Sequence, residues 1–331
     1  MKKTIIYSIA TALLLFTACD KDSNNDNGNG IGSESSAFTA DGATKSVFSV
    51  AEGRTVRFSR GNLEYNAAQG SHTTADGQTL QGTWRFSIHQ YDTIIYGNLN
   101  ASPIYDGWQS DFSWGTSGWN SGAVCFQPWE WSHVGSFHDD KDYWPYGDST
   151  ASLSGSYKNA DWAYYNAISN GGNRPCMWRT LTSDEWEYLI STRSASTINS
   201  IPNARFAPAN VAGIDGVILF PDTYSHPSNI DLPQCINRCP SHIRDSMSYY
   251  TASQWNEIET RGGVFLPIHR SGQSTYGEYW SVTNKLEGMH AHPYYLYFIF
   301  YSVQSASFNI SVTTNGSFRP GRLVRPIQDV K

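Results

Sequence analysis

The chain has 331 residues, a formal net charge of −6, 16% charged residues and 14% aromatic ones. An acidic balance with no block of Lys and Arg argues against nucleic acid as a partner, because phosphate contacts need clustered cations. So many aromatic residues exclude disorder for the body of the chain, and its length is enough for one large domain or two small ones.

Lys2 and Lys3 precede an apolar run over 5–16 that is too short to span a bilayer, which reads as a secretory signal. Leu15-Phe-Thr-Ala-Cys19 has the form of a lipobox. Residues 1–18 are thus expected to be a lipoprotein signal peptide and Cys19 the lipidation site, where several acyl chains such as palmitate give stable anchoring in the outer membrane. Residues 19–47 are expected to be the lipidated Cys and a flexible polar tether. Asp20, Asp22, Asn24 and Asp26 alternate like a calcium loop, yet Ile31 stands where that loop needs a bidentate Glu. No specific motif supports Ca2+, and no other cofactor is expected.

The domain is expected over 48–331. Thr55-Val-Arg-Phe-Ser, Asn62-Leu-Glu-Tyr and Thr83-Trp-Arg-Phe-Ser alternate apolar with polar and predict strands of an opening meander, with Asp76-Gly77 as a hairpin turn. Residues 98–157 form a Trp-rich insertion holding Trp108, Trp114, Trp119, Trp129, Trp131 and Trp144. Buried indoles pinning a long loop explain it more simply than a sugar-stacking platform. Asp139, Asp140 and Asp142 read as solvated charges. Trp162, Tyr165, Ala167 and Ile168 have helical spacing and predict a helix over 159–170.

The strongest local signal lies at 178–193. Thr182 and Glu185 form a capping box, and Trp186, Leu189, Ile190 and Arg193 make one inward stripe. Val-Ile-Leu-Phe before Pro221 and Val264-Phe-Leu-Pro predict buried strands, and Thr251 with Gln254 caps a further helix. The end of the chain is β-rich: Tyr294-Tyr-Leu-Tyr-Phe-Ile-Phe-Tyr301, Phe308-Asn-Ile-Ser-Val and Gly321-Arg-Leu-Val-Arg325. Period-2 alternation sets Leu296, Phe298 and Phe300 on a core face and Tyr295, Tyr297 and Tyr301 on the other, toward a ligand or toward the Trp-rich insertion.

The cysteines after Cys19 are Cys125, Cys176, Cys235 and Cys239. Three pairings exist; Cys235 with Cys239 can close a small loop unaided and is the candidate disulfide, with free buried thiols as the alternative. Zinc held by this pair with His226 and His242 lacks a standard spacing.

Trp178-Arg-Thr-Leu-Thr-Ser-Asp-Glu-Trp-Glu-Tyr188 resembles a signature of the formylglycine-generating-enzyme superfamily. With Val56-Arg-Phe-Ser-Arg-Gly-Asn-Leu63, 160–172 and the terminal Gly-Arg-Leu-Val-Arg, the order of motifs resembles Bacteroidetes surface lipoproteins with a Fibrobacter-major-paralogous-type domain. Lys21-Asp22 resembles their surface-export signal. The resemblance implies an α+β, C-type-lectin-like irregular domain with a twisted antiparallel sheet and two or three helices. It also implies a lipoprotein facing the cell exterior, with a ligand face on the late strands, where Tyr295, Tyr297, Tyr301, Trp280 and Asn309 are the candidate contacts for an extracellular glycan or protein. Thr182, Glu185, Trp186, Arg322 and Arg325 are expected to be structural.

The related oxidases bind copper through a carboxyl-terminal cysteine pair, and 280–331 contains no Cys. No Gly-x-Ser-x-Gly elbow occurs, and His290 and His292 lack a third ligand. The expectation is a non-catalytic, adhesin-like binding module. A metal-dependent oxidase and a structural subunit of a surface appendage are the alternatives.

Overall fold

A computed structural model of the chain describes residues 37–93, 107–119, 151–238, 247–268, 276–287, 290–300, 308–314 and 321–331. The fold is mixed α+β, with mostly antiparallel sheets and few helices. Strands β1 (Phe48–Ala51) and β2 (Arg54–Phe58) form a hairpin across Gly53, whose φ of 68° is the left-handed turn that glycine adopts without strain. Strands β3 (Leu63–Thr73) and β4 (Thr79–Phe86) form a second hairpin, turned at Gly77 with φ 79°. The Asp76-Gly77 turn is thus where the sequence puts it. The opening strands are not one meander, because β2 and β3 lie in different sheets.

The folded unit also begins upstream of residue 48. Ala37 and Ala43 are buried, and the Thr44 N–H donates to the Phe58 carbonyl at 2.8 Å. Residues 37–47 belong to the domain rather than to a tether, because their small polar side chains find partners in β2 and in one another.

The helix expected over 159–170 is cut short. A 3-10 turn (Gly155–Ala160) leads to α1 (Trp162–Tyr165), a single turn. Asn166 then turns extended, at φ −101° and ψ 140°. Its carboxamide donates to the Trp162 carbonyl at 2.9 Å and to that of Ser117 at 3.0 Å. A side-chain donor thus occupies the acceptor that the next helical N–H would use, and Ile168 goes on to bridge Trp84.

The capped helix forms as α2 (Ser183–Glu187) and runs on as a π-helical turn (Tyr188–Thr192). Next come β5 (Phe206–Val211), β6 (Ile214–Leu219), β7 (Ser248–Tyr250), α3 (Ala252–Thr260) and β8 (Val264–Pro267). These strands form a sheet in the order β7-β5-β6-β8, in which only the β5–β7 pair is parallel. Strands β9 (Tyr276–Glu287), β10 (His290–Phe300) and β11 (Phe308–Thr314) build an antiparallel sheet with β10 central. The last strand, β12 (Ile327–Asp329), returns to the edge of β2. Gly321-Arg-Leu-Val-Arg325, which the sequence predicts as a strand, forms instead two isolated bridges, Arg322 with Phe112 and Leu323 with Tyr279.

Two apolar clusters decide where the late sheet sits. One packs Trp186, Leu189, Phe48 and Phe58 against Tyr279, Leu296 and Phe298. The other gathers Trp84, Phe112, Trp114, Trp162 and Trp178 around Trp280 and Tyr295. The sheet is therefore covered on one face along its length, and on the other face where the Trp-rich segment reaches it.

Candidate functional site

Strand register assembles the face named in the sequence. Tyr295 pairs with Trp280 on one side and Thr313 on the other, Tyr297 with Glu278 and Ser311, and Ile299 with Tyr276 and Asn309. Cross-strand partners share a face, so Trp280, Tyr295, Tyr297 and Asn309 are brought together, and Tyr276, Glu278 and Ser311 join them. The last three were missed, although Tyr276 and Glu278 have the same parity as Trp280 and could have been read from it. Tyr301 lies outside the described residues.

This face divides into a covered and an open end. At the covered end Trp280 is 0% and Tyr295 5% exposed. Arg322, itself fully buried, lies over both rings, with its guanidinium carbon 3.7 Å from the Tyr295 ring centre and 4.2 Å from that of Trp280. The Trp280 indole donates to the Phe112 carbonyl at 2.6 Å, and the Trp114 indole to that of Ser281 at 2.9 Å. Trp280 and Tyr295 are therefore core residues and not ligand contacts. Alternation put them on the right face, but the chain that covers them arrives from 107–119 and 321–325. The guanidinium charge of Arg322 is balanced by Glu278, whose Oε1 is 3.4 Å from Nε. Burial raises the pKa of the Tyr295 hydroxyl, an effect that Arg322 partly offsets.

At the open end Tyr276, Tyr297, Ile299, Ser311 and Thr313 are half-buried and Asn309 is exposed. The Tyr276 and Tyr297 rings lie 6.2 Å apart, and Tyr297 meets Tyr295 edge-on at 6.3 Å. The result is a stiff strip of rings and hydroxyls on a sheet, anchored below by the Arg322–Glu278 pair. It offers contact area and hydrogen-bonding groups.

Thr182 accepts from the Glu185 N–H at 3.1 Å, and Glu185 Oε2 accepts from the Thr182 N–H at 2.9 Å. Trp186 is fully buried. Arg325 is fully buried and donates to Gln90 and to the Phe265 carbonyl, the latter at 3.3 Å. Burial pushes its pKa down to about 10, and Tyr279 and Glu259 oppose the shift. Trp108 lies under the Arg85 guanidinium at 3.6 Å.

Among the described residues no group of three His, Cys, Asp or Glu is arranged to hold a metal. His226 is engaged at both ring nitrogens, 2.9 Å from the Tyr224 hydroxyl and 3.0 Å from the Asp231 carbonyl. Cys19, Cys125, Cys239, His242, Trp129, Trp131, Trp144 and the cluster Asp139, Asp140 and Asp142 lie outside the described residues, so the Cys235–Cys239 pairing does as well. Among the described residues no helix is long and apolar enough to cross a membrane. Comparison with protein-family models, with curated proteins and with solved structures gave no match.

Proposed function

We propose that this protein is a non-catalytic binding module, anchored at the outer face of the outer membrane through Cys19, which takes an extracellular glycan or protein on the β9-β10-β11 sheet. The observation that carries this reading is the open end of that sheet, where Tyr276, Tyr297, Asn309 and Ser311 share one half-exposed face. Tyrosine supplies broad rigid contact area with one polar handle, while Asn and Ser supply adaptable hydrogen bonds. The fold belonging to this reading is the C-type-lectin-like one. It is supported by the irregular α+β domain, the antiparallel late sheet and the capped Thr182–Glu185 helix.

The test is a glycan and host-protein array probed with the purified protein, followed by affinity measurements on the hits. Tyr297→Ala and Asn309→Ala should each weaken binding, Tyr297→Ala by about tenfold or more, with unchanged melting temperatures. Hits whose affinity ignores both substitutions would remove the sheet face from the reading, and oxygen uptake with a thiol substrate and copper would replace the reading with an oxidase.

A further inference from the structure

Past the covered end of the sheet face, where β9 runs on from Trp280 to Val282, a pocket of about 300 Å3 opens between the 3-10 turn Gly155–Ala160 and the cap of α2. Its wall is apolar and fixed. Leu153 and Val282 are buried, and the Leu153 N–H donates to the Val282 carbonyl at 2.8 Å. Its polar groups are unequally committed. Glu185 Oε1 accepts from Arg54 at 2.7 Å and from Arg179 at 2.8 Å, and Oε2 accepts from Arg179 at 2.7 Å and from the Thr182 N–H at 2.9 Å. Two bonds on each oxygen exhaust a carboxylate. Asp161 accepts from the Thr180 N–H, the Thr180 hydroxyl and the Ala163 N–H at 2.8, 2.7 and 3.1 Å. Arg179 spends its donors on Glu185, Asp329 and the Thr180 carbonyl.

Cationic donors remain at the rim, while Asp161 is buried. Arg54 is 57% exposed and uses a single nitrogen, on Glu185. Lys158 is exposed, makes no ion pair among the described residues, and is held with its Nζ 5.0 Å over the Tyr164 ring. Ser154 makes no capping bond with its hydroxyl. A pocket with an apolar wall, a saturated Glu185 carboxylate and spare cationic donors selects a ligand with a carbon face, an anionic group and further acceptor oxygens.

We infer that this pocket binds one acidic monosaccharide unit, a hexuronate, with its carboxylate between Arg54 and Lys158 and its carbon face against Leu153 and Val282. A bare oxyanion fits less well, because it leaves the apolar wall uncovered. The pocket shares none of Tyr276, Tyr297, Asn309 and Ser311 and stands without the open end of the sheet.

Calorimetric titration of the purified protein with methyl glucuronide, methyl glucoside and inorganic phosphate tests the inference. The glucuronide should bind, the neutral glucoside about tenfold more weakly or not at all, and an equal concentration of phosphate should not displace the glucuronide. Lys158→Met keeps the stem and removes the charge. Arg54→Met leaves Glu185 its two bonds from Arg179. Each should weaken glucuronide binding by about tenfold, with melting unchanged, whereas Tyr297→Ala should leave it intact. Equal binding of the glucoside, displacement by phosphate, or indifference to both cation substitutions would overturn the assignment. Loss of binding in Tyr297→Ala but not in Lys158→Met would place the sugar on the sheet and remove it from the pocket.

Discussion

Asp161 is fully buried, and the donors around its carboxylate come from Thr180 and from the Ala163 N–H at the start of α1. Burial raises its pKa to about 6 against these bonds and against the Arg179 charge. The folded state therefore holds a proton that the unfolded chain releases near 3.8, and stability from the protonated form is complete below that value and lost as pH rises toward 6. Asp161→Asn mimics the protonated carboxyl but cannot accept from all three donors. We expect it to cost about 1 kcal/mol at pH 4, and the gap to wild type to narrow by pH 7. His72 has the opposite slope. Burial lowers its pKa although its ring nitrogens lie 2.8 Å from the Gly82 carbonyl and 2.9 Å from Asn166 Oδ1, so its contribution is lost as pH falls. The readout is thus the difference between the two urea midpoints at each pH. A gap that widens from pH 4 to pH 7 would refute the assignment.

Helix α2 shows what local chemistry does and does not determine. Its capping box and its stripe of Trp186, Leu189, Ile190 and Arg193 form as the residue types and spacing dictate, since each contact lies within one or two turns. The distant partners of this cluster could not be read in that way: Arg54 is 131 residues from Glu185 in sequence, and Arg179, six residues from Glu185, also reaches Asp329 across 150 residues. Arg193 goes further inward than a buried stem. It is 0% exposed, and its guanidinium donates to Leu189, Asp222 and Phe220. The same limit explains the late strands. Alternation along β10 sorted its side chains between two faces correctly, but which part of a face stays open depends on Phe112 and Arg322, which no period in β10 encodes. The helix misread at 159–170 failed through a side chain, Asn166, whose preference for bonding backbone groups outweighs an apolar spacing. For α2 the expectation is graded. Thr182→Ala removes one acceptor and should cost about 1 kcal/mol. Glu185→Ala removes the acceptor of the Thr182 N–H and of two guanidinium groups, of which Arg54 is 57% exposed and Arg179 keeps Asp329, and should cost about 2 kcal/mol. Equal urea midpoints for the two variants would mean that the cap, and not the ion cluster, holds the helix.

At the scale of the whole molecule, the end of the chain closes the beginning of the domain. Strand β12 forms the third strand of the β1-β2 sheet, with Ile327 opposite Phe58, and the Val330 N–H donates to the Thr55 carbonyl at 2.9 Å. Ile327 also exchanges both backbone bonds with Arg179, at 2.8 and 3.0 Å, so one residue joins this sheet to the segment that leads into α2. Its side chain is 0% exposed within the cluster that contains Phe58, Trp186 and Leu296. Asp329 completes the junction, with Oδ2 2.8 Å from Arg179 Nε and Oδ1 2.6 Å from Nη2. Such distant pairing delays folding more than it weakens the fold, because the entropy of closing a loop grows slowly with its length while the search for a distant partner is slow. Ile327→Ala should therefore lower stability by about 3 kcal/mol. Ending the chain at Pro326 removes the strand, the Arg179 junction and the apolar plug together, and should abolish a cooperative melt. Deleting only Lys331, which is exposed, should leave the melting temperature unchanged. If the chain ending at Pro326 melts cooperatively at the wild-type midpoint, β12 is an appendage, and the domain is closed by the covered end of the late sheet instead.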